Sequence, residues 1–362
     1  MKNTIKLKFP KGIKYAGANS KTLVSALTGT SSKKDLAIQL KKIEAVNDLP
    51  VNERPDIISD LSIYNSGTSL YKHILNYFPD FIVSTLPVYQ CKRTNGQISQ
   101  NELLEITHEQ IEAGIGFLTI HPTPNRLLIK LAQRRRVPWT SRGGAIVMKD
   151  LLSSNPADDN VYIKILDDLI SLAKKNDVVI SIGASYRSAN VFDSLDECQI
   201  EEFRSQKSIG EYIENNGVKV IVEGPGHSTP QKLKLIADYY NEMSFPVMPL
   251  GPIPTDTAIG QDHISSAIGA VILGLYNSVD IITAVTREEH TGGIPSIKST
   301  IEALQAAKIA AHIIDIAKLE DLSEDNKIVS FREQHQTCIY GKTNAGCSRC
   351  MDVCPLQSVT SM

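Results

Sequence analysis

Short apolar runs recur along this chain at a regular pitch, most of them followed by a segment long enough for a helix. That alternation limits the fold more than any other feature. The runs that read as strands are Leu23–Leu27, Asp56–Leu61, Phe81–Thr85, Gly116–His121, Gly143–Val147, Val178–Gly183, Val218–Val222, Pro246–Leu250 and Val279–Val285. The clearest helices are Glu102–Ala113, Val161–Lys175, Pro230–Met243 and Ile297–Lys318, where apolar residues repeat at i, i+3 and i+4. Strand–helix alternation predicts a parallel α/β architecture. Eight or nine strands over about 280 residues fit a closed (β/α)8 TIM-like barrel, which takes about 250 residues. An open doubly wound sheet fits less well, because no strand runs into a Gly-x-Gly-x-x-Gly turn that opens a helix.

The polar residues at the strand ends point the same way. Asp60, His121, Arg187, Glu223 and His290 each follow a strand run, and in a (β/α) barrel those ends converge on one site. Three parts are expected: an N-terminal extension over residues 1–22, a barrel over 23–322 and a C-terminal cysteine segment over 323–362. SEDNKIVSFREQHQ reads as a polar connection between the last two.

Lys and Arg total 38 against 40 Asp and Glu, a net charge of −2, which does not suggest a general nucleic-acid binder. Arg134-Arg135-Arg136 reads as a solvated helix face. The basic N-terminus lacks the apolar core of a signal peptide, and no long apolar run suggests a membrane span. A cytoplasmic protein is expected, its cysteines reduced or bound to metal.

Four of the six cysteines crowd between Cys338 and Cys354. Cys347 and Cys350 are separated by two residues, Cys350 and Cys354 by three, and Pro355 follows. This spacing suits an iron–sulfur cluster; zinc is the competitor, although its structural sites more often use two Cys-x-x-Cys pairs. With Cys338 as a fourth ligand the cluster would be closed and fit for electron transfer. With three ligands, one iron stays open for substrate or S-adenosylmethionine. Cys91 and Cys198 read as buried thiols.

Glu223-Gly-Pro-Gly-His227 lies just past a strand, where glycines let backbone turn tightly near a ligand. His227 and His290, from different strand ends, could share a metal. Ser141-Arg142-Gly143-Gly144 is either an ordinary loop or a phosphate clasp made of a guanidinium, a hydroxyl and free amides. His263 reads as capping or preceding a helix; His73, His108 and His312 read as structural or exposed.

Taken together and in order, IISDLS, TLPVYQ, FLTIH, SRGGAI, SLDECQIEE, VEGPGH, PLGPIPTD, GQDHISSAIGA, VTREEH, AAKIAAHIIDIAK and the cysteine run resemble the phosphomethylpyrimidine synthase family, radical S-adenosylmethionine enzymes of thiamine biosynthesis. The resemblance implies a (β/α) barrel, usually dimeric, whose cysteine segment reaches a partner's active site. It implies a 4Fe–4S cluster on Cys347, Cys350 and Cys354, with S-adenosylmethionine on the open iron and an electron donor such as flavodoxin or ferredoxin. It further implies a lyase that rearranges 5-aminoimidazole ribotide to a hydroxymethylpyrimidine phosphate. Tyr89, His121, Ser141, Arg142, Gly143, Arg187 and Glu223 match its substrate-binding positions. Glu223 and His121 are the expected catalytic pair, and His227 and His290 match ligands of a zinc or iron ion.

Some positions depart from the family pattern. Its NANIGNS is SALTGTS here, with Ser25 and Leu27 for asparagines. Ser59 replaces a Met, Met248 a Tyr, and Ala184-Ser185-Tyr186-Arg187 stands for Asp-Gly-Leu-Arg. The second and third cluster cysteines are one residue closer than usual. A different product from the same kind of ribotide, such as a hydroxybenzimidazole, is therefore a rival expectation. A non-catalytic iron–sulfur electron carrier or sensor is another.

Overall fold

A computed structural model describes residues 3–32, 34–63, 69–341 and 349–358. It divides into two compact units, Met1–Ile314 and Asp315–Met362.

The first unit opens with an antiparallel hairpin, β1 (Ile5–Phe9) and β2 (Gly12–Ala16). The barrel strands follow: β3 (Leu23–Thr28), β4 (Ile57–Asp60) and β5 (Ile82–Thr85). A small ribbon, β6 (Arg93–Thr94) with β7 (Gln97–Ile98), interrupts the series. Then come β8 (Phe117–Ile120), β9 (Val179–Ile182), β10 (Val220–Glu223), β11 (Val247–Met248) and β12 (Ile281–Thr283). The eight barrel strands are parallel in the order β11-β10-β9-β8-β5-β4-β3-β12. The ring closes between β11 and β12, where Asp280 N–H donates to Val247 O at 2.9 Å and Leu250 bridges to Thr283. The expected closed barrel is what the chain forms.

Between the strands lie α1 (Asp35–Asn47), α2 (Leu70–Tyr77), α3 (Gln100–Glu112), α4 (Arg126–Ala132), α5 (Arg142–Ser153), α6 (Val161–Lys164), α7 (Leu166–Asn176), α8 (Glu197–Asn215), α9 (Pro230–Met243) and α10 (Asp262–Gly274). The chain continues through α11 (Ile297–Leu319), α12 (Ser323–Gln334) and α13 (Pro355–Ser358). No helix among the described residues is long and apolar enough to cross a membrane.

Side chains two apart along each strand point into the barrel and form layers. The lowest layer is apolar: Leu23, Ile57, Ile82, Phe117, Val179, Ile221 and Ile281 pack with Ile5, Leu7 and Ala16 of the hairpin. The first residues of the chain thus close the barrel floor. One step up, the layer turns small and polar, with Ser59 Oγ 2.8 Å from Ser25 Oγ and 2.7 Å from Ser84 Oγ. The outward residues, among them Ile58, Val83, Leu118, Ile180 and Val222, pack into the main apolar cluster. Asp56 anchors β4 from below, accepting from Lys14 Nζ at 2.5 Å and Lys308 Nζ at 2.9 Å.

Three expectations need correction. Gly143–Val147 is not a strand but part of α5: Ser141 Oγ accepts from Gly144 N–H at 3.1 Å, and Val147, Met148 and Leu151 are buried at helical spacing. The helix expected over Val161–Lys175 breaks at Ile165 into α6 and α7. The stretch read as a polar connection holds α12, none of whose residues is buried.

Candidate active site

A cavity of about 270 Å³ opens at the C-terminal ends of the barrel strands. Its floor holds Ser59, Ser84, Thr119 and Met248; Tyr89, His121, Ser141, Arg142, Arg187 and Glu223 stand around it. Six of the seven residues expected to bind substrate therefore line one space. The seventh, Gly143, lies in the first turn of α5 against the His121 ring.

His121 follows β8 and is 2% exposed. A side chain at Gly143 or at Gly183 would collide with its imidazole, so both positions need glycine. Burial, with the Arg187 guanidinium second, lowers its pKa to about 3, so the ring is neutral at ordinary pH. Glu223 ends β10. Its carboxylate accepts from Ala184 N–H at 3.3 Å and from the Thr119 hydroxyl. Burial raises its pKa, against the opposing charge of Arg187. Tyr89 sits in a short turn after β5 with the Arg142 guanidinium 5.6 Å from its ring centre.

The start of α5 faces this cavity. Ser141 holds the Gly144 amide, and the Gly143 amide donates to the Tyr89 hydroxyl. What remains for an anion is the Arg142 guanidinium, the Ser141 hydroxyl and the positive end of a 12-residue helix.

Two expected strand-end residues lie elsewhere. Asp60 does not line the cavity. Its carboxylate organises its own loop, accepting from Ser62 N–H at 2.9 Å, Ser62 Oγ at 2.5 Å and Tyr71 N–H at 2.9 Å. His290 meets His227 in a second recess shared with Asp256 and Asp262. There the two Nε2 atoms lie 3.0 Å apart. His227 Nδ1 is 2.5 Å from Asp256 Oδ1, and His290 Nδ1 is 2.7 Å from Asp262 Oδ1. Burial, then the neighbouring His290, keep the pKa of His227 below its ordinary value against the pull of Asp256. With both Nδ1 atoms donating to carboxylates, two Nε2 lone pairs face each other, an arrangement that a cation between them relieves. The Oδ2 atom of Asp262 is buried with no hydrogen-bond partner. Among the described residues, no group of three His, Cys, Asp or Glu gathers around one ion position.

Nothing in the sequence flagged Asp256 and Asp262, although both lie inside PLGPIPTD and GQDHISSAIGA. His263 lies in the first turn of α10, one residue beyond Asp262. In Glu223-Gly-Pro-Gly-His227 the backbone packs closely: a Cβ on Gly226 would strike the Ser188 carbonyl. Arg135 is not solvated. It is buried and gives Asp196 two hydrogen bonds, of 2.8 and 2.6 Å. Burial pushes the Cys91 and Cys198 thiols up to about 12, in keeping with inert buried thiols.

In the second unit, Cys350 and Cys354 flank a one-turn element, Met351–Val353, and Cys338 is exposed. Cys347 lies outside the described residues.

A closed (β/α)8 barrel with a polar cavity at the C-terminal strand ends belongs to the class that binds small substrates at that face. Residues 2–360 match the model of the radical SAM ThiC family. The phosphomethylpyrimidine synthase of Clostridium botulinum (strain Loch Maree / Type A3) is 30% identical over 318 residues, 85% of this chain and 70% of that protein. Proteins of the same name from Carboxydothermus hydrogenoformans and Thermococcus gammatolerans are each 31% identical, covering 85% and 94% of this chain and 72% and 84% of their own lengths. The chain belongs to the radical SAM ThiC family.

Proposed function

We infer that this protein is a radical S-adenosylmethionine lyase of thiamine biosynthesis that converts 5-aminoimidazole ribotide to a hydroxymethylpyrimidine phosphate. The observation that carries the reading is the meeting of Tyr89, His121, Ser141, Arg142, Arg187 and Glu223, from separate strand ends, around one cavity. In this reading Ser141, Arg142 and the start of α5 hold the phosphate, with Gly143 keeping the backbone close. Tyr89 and neutral His121 position the imidazole and ribose. Glu223, its pKa raised by burial, exchanges a proton with the rearranging ring, and Arg187 balances its charge.

Cys347, Cys350 and Cys354 would hold a 4Fe–4S cluster; three thiols at this spacing suit it and leave one iron open. With S-adenosylmethionine, the cluster would supply one-electron chemistry for hydrogen abstraction from the ribose. His227 and His290 would hold a zinc or iron ion through their free ring nitrogens, their Nδ1 atoms being positioned by Asp256 and Asp262. A flavodoxin or ferredoxin would deliver the electron. A homodimer is part of the reading, and sedimentation velocity tests it: a monomer at micromolar concentration would remove it.

One observation favours a different product. Ser59 and Met248, which replace the family's Met and Tyr, both line the cavity. A changed cavity floor accommodates another rearrangement of the same ribotide, such as a hydroxybenzimidazole. The test is anaerobic incubation of iron- and sulfide-reconstituted protein with S-adenosylmethionine, a reductant and the ribotide, with products weighed by mass spectrometry. A hydroxymethylpyrimidine phosphate supports the first reading and a hydroxybenzimidazole the second; recovery of unchanged ribotide contradicts both. Metal analysis of the same preparation is expected to find one ion per chain besides the cluster, lost in His227→Ala. An unchanged content would remove the histidine site.

A further inference from the structure

Behind the cavity wall runs a line of side-chain hydrogen bonds whose members beyond His121 have no part in the reaction described above. It starts at His121, whose Nδ1 atom lies 3.0 Å from Ser185 Oγ. Ser185 Oγ lies 3.1 Å from Thr123 Oγ1, which lies 2.8 Å from Oε1 of Glu202 on α8. All four residues are buried. Glu202 is fixed through both oxygens, accepting from Ser185 N–H at 2.6 Å and Tyr186 N–H at 2.8 Å. Ser185 occupies Nδ1, so Nε2, on the side of the ring that packs against Gly143, is the nitrogen left to exchange a proton with the cavity that His121 lines.

Each hydroxyl carries one proton, so the line has two self-consistent settings. With Glu202 ionised, Thr123 donates to Glu202, Ser185 to Thr123, and the His121 Nδ1–H to Ser185. His121 Nε2 is then bare. With Glu202 protonated, every bond reverses, and the Nε2 atom carries the hydrogen. We propose that His121, Ser185, Thr123 and Glu202 form a proton relay that opens on the cavity at His121 Nε2 and stores its proton on Glu202. One passage forms four bonds to hydrogen, at Nε2, Ser185 Oγ, Thr123 Oγ1 and Glu202. It breaks three, at Nδ1, Ser185 Oγ and Thr123 Oγ1. The net change is one proton taken from the cavity, no electron moves, and the imidazole ends neutral.

The surroundings suit such a store. Burial raises the Glu202 pKa to about 7, against its hydrogen bonds and the charge of Arg135. The ionisable groups facing Glu202 are Arg135, Tyr186, Cys198 and Tyr240. Burial pushes the two tyrosines and the thiol up, so they stay neutral, and Asp196 engages the Arg135 guanidinium. His121 faces Arg187 and resists holding a second proton itself, so a proton arriving at Nε2 has reason to pass on. Ser185 and Thr123 are positioning residues here, acting on the cavity only through His121.

The use of the relay rests on the ribotide reading of the cavity, but its existence does not, so the test uses the protein without substrate. Chain labelled with ¹⁵N-histidine is titrated between about pH 5.5 and 8.5, and the His121 ring nitrogens are identified by their loss in His121→Gln. The relay predicts Nδ1–H above a midpoint near 7, Nε2–H below it, and no imidazolium. Thr123→Val is expected to lock one tautomer across the range, and Thr123→Ser to restore the change. If Thr123→Val does not fold, Ser185→Ala carries the same expectation. A wild-type tautomer that never changes, or a change that survives loss of the hydroxyl, overturns the relay. Failure of the ribotide assay would leave this result untouched.

Discussion

His121 shows how much a single side chain can owe to its neighbours. Gly143 and Gly183 leave just enough room for its ring, and the resulting burial keeps it neutral. That neutrality has a consequence for stability. The folded ring takes a proton only near pH 3, whereas an unfolded histidine does so near about 6.5. Between those values the unfolded chain binds more protons, so stability falls as the pH drops through that window. Glu202 acts in the opposite sense. Its folded pKa of about 7 lies above the unfolded value, so its stabilising effect is complete at low pH and is lost as the pH rises through 7. Replacing His121 by Gln is expected to flatten the acid limb of a melting-temperature profile between about pH 4 and 6, removing close to one proton, or about 1.4 kcal/mol per pH unit. An unaltered slope would mean that His121 is protonated in the folded state. The lining of the cavity was legible where a reactive residue comes at the end of a strand, as at His121 and Glu223. It was not legible at Asp60, which has the same position but turns into its own loop. Glu202 could not be read at all, because its partner Thr123 lies 79 residues away in sequence.

Among the elements, α5 brings Ser141 and Arg142 to the cavity, and it was read as a strand. Gly-Gly followed by Ala145, Ile146 and Val147 has the composition of a strand. The deciding interaction is the Ser141 cap, after which Val147, Met148 and Leu151 bury one helical face. The barrel strands were legible to within a few residues, because apolar residues on both faces mark them whatever the context. The hairpin β1–β2 was passed over as a basic extension. Its lysines disguise an alternation, Ile5 and Leu7 inward and Lys6 outward, that becomes meaningful only against the barrel floor. The phosphate role proposed for α5 makes a specific prediction. Arg142→Ala is expected to weaken binding of the ribotide at least about tenfold by calorimetry, in line with the loss of a charge-assisted contact, while leaving the unphosphorylated riboside nearly unaffected. Equal losses for both would move the phosphate elsewhere. Ser141→Ala is expected to cost about 1 kcal/mol of stability as a lost cap, and to weaken ribotide binding further.

For the molecule as a whole, the barrel separates stability from chemistry along its axis. Apolar residues and the hairpin close the lower end, a serine layer follows, and the titratable groups that line the cavity stand at the upper end. Ser59 and Met248 alter the cavity floor, while Arg142, Ser141 and Glu223 keep the residue types of the resembling family. In the proposed function a phosphorylated ribotide sits in this cavity and yields a ribose hydrogen to a radical. Its most direct test is one turnover of anaerobically reconstituted protein with S-adenosylmethionine and 5-aminoimidazole ribotide deuterated on the ribose. Deuterium is expected in the 5′-deoxyadenosine formed by the wild-type chain, with little formed at all by Arg142→Ala. If 5′-deoxyadenosine is absent, or forms unlabelled at the same rate without the ribotide, the cavity is not the site of that chemistry.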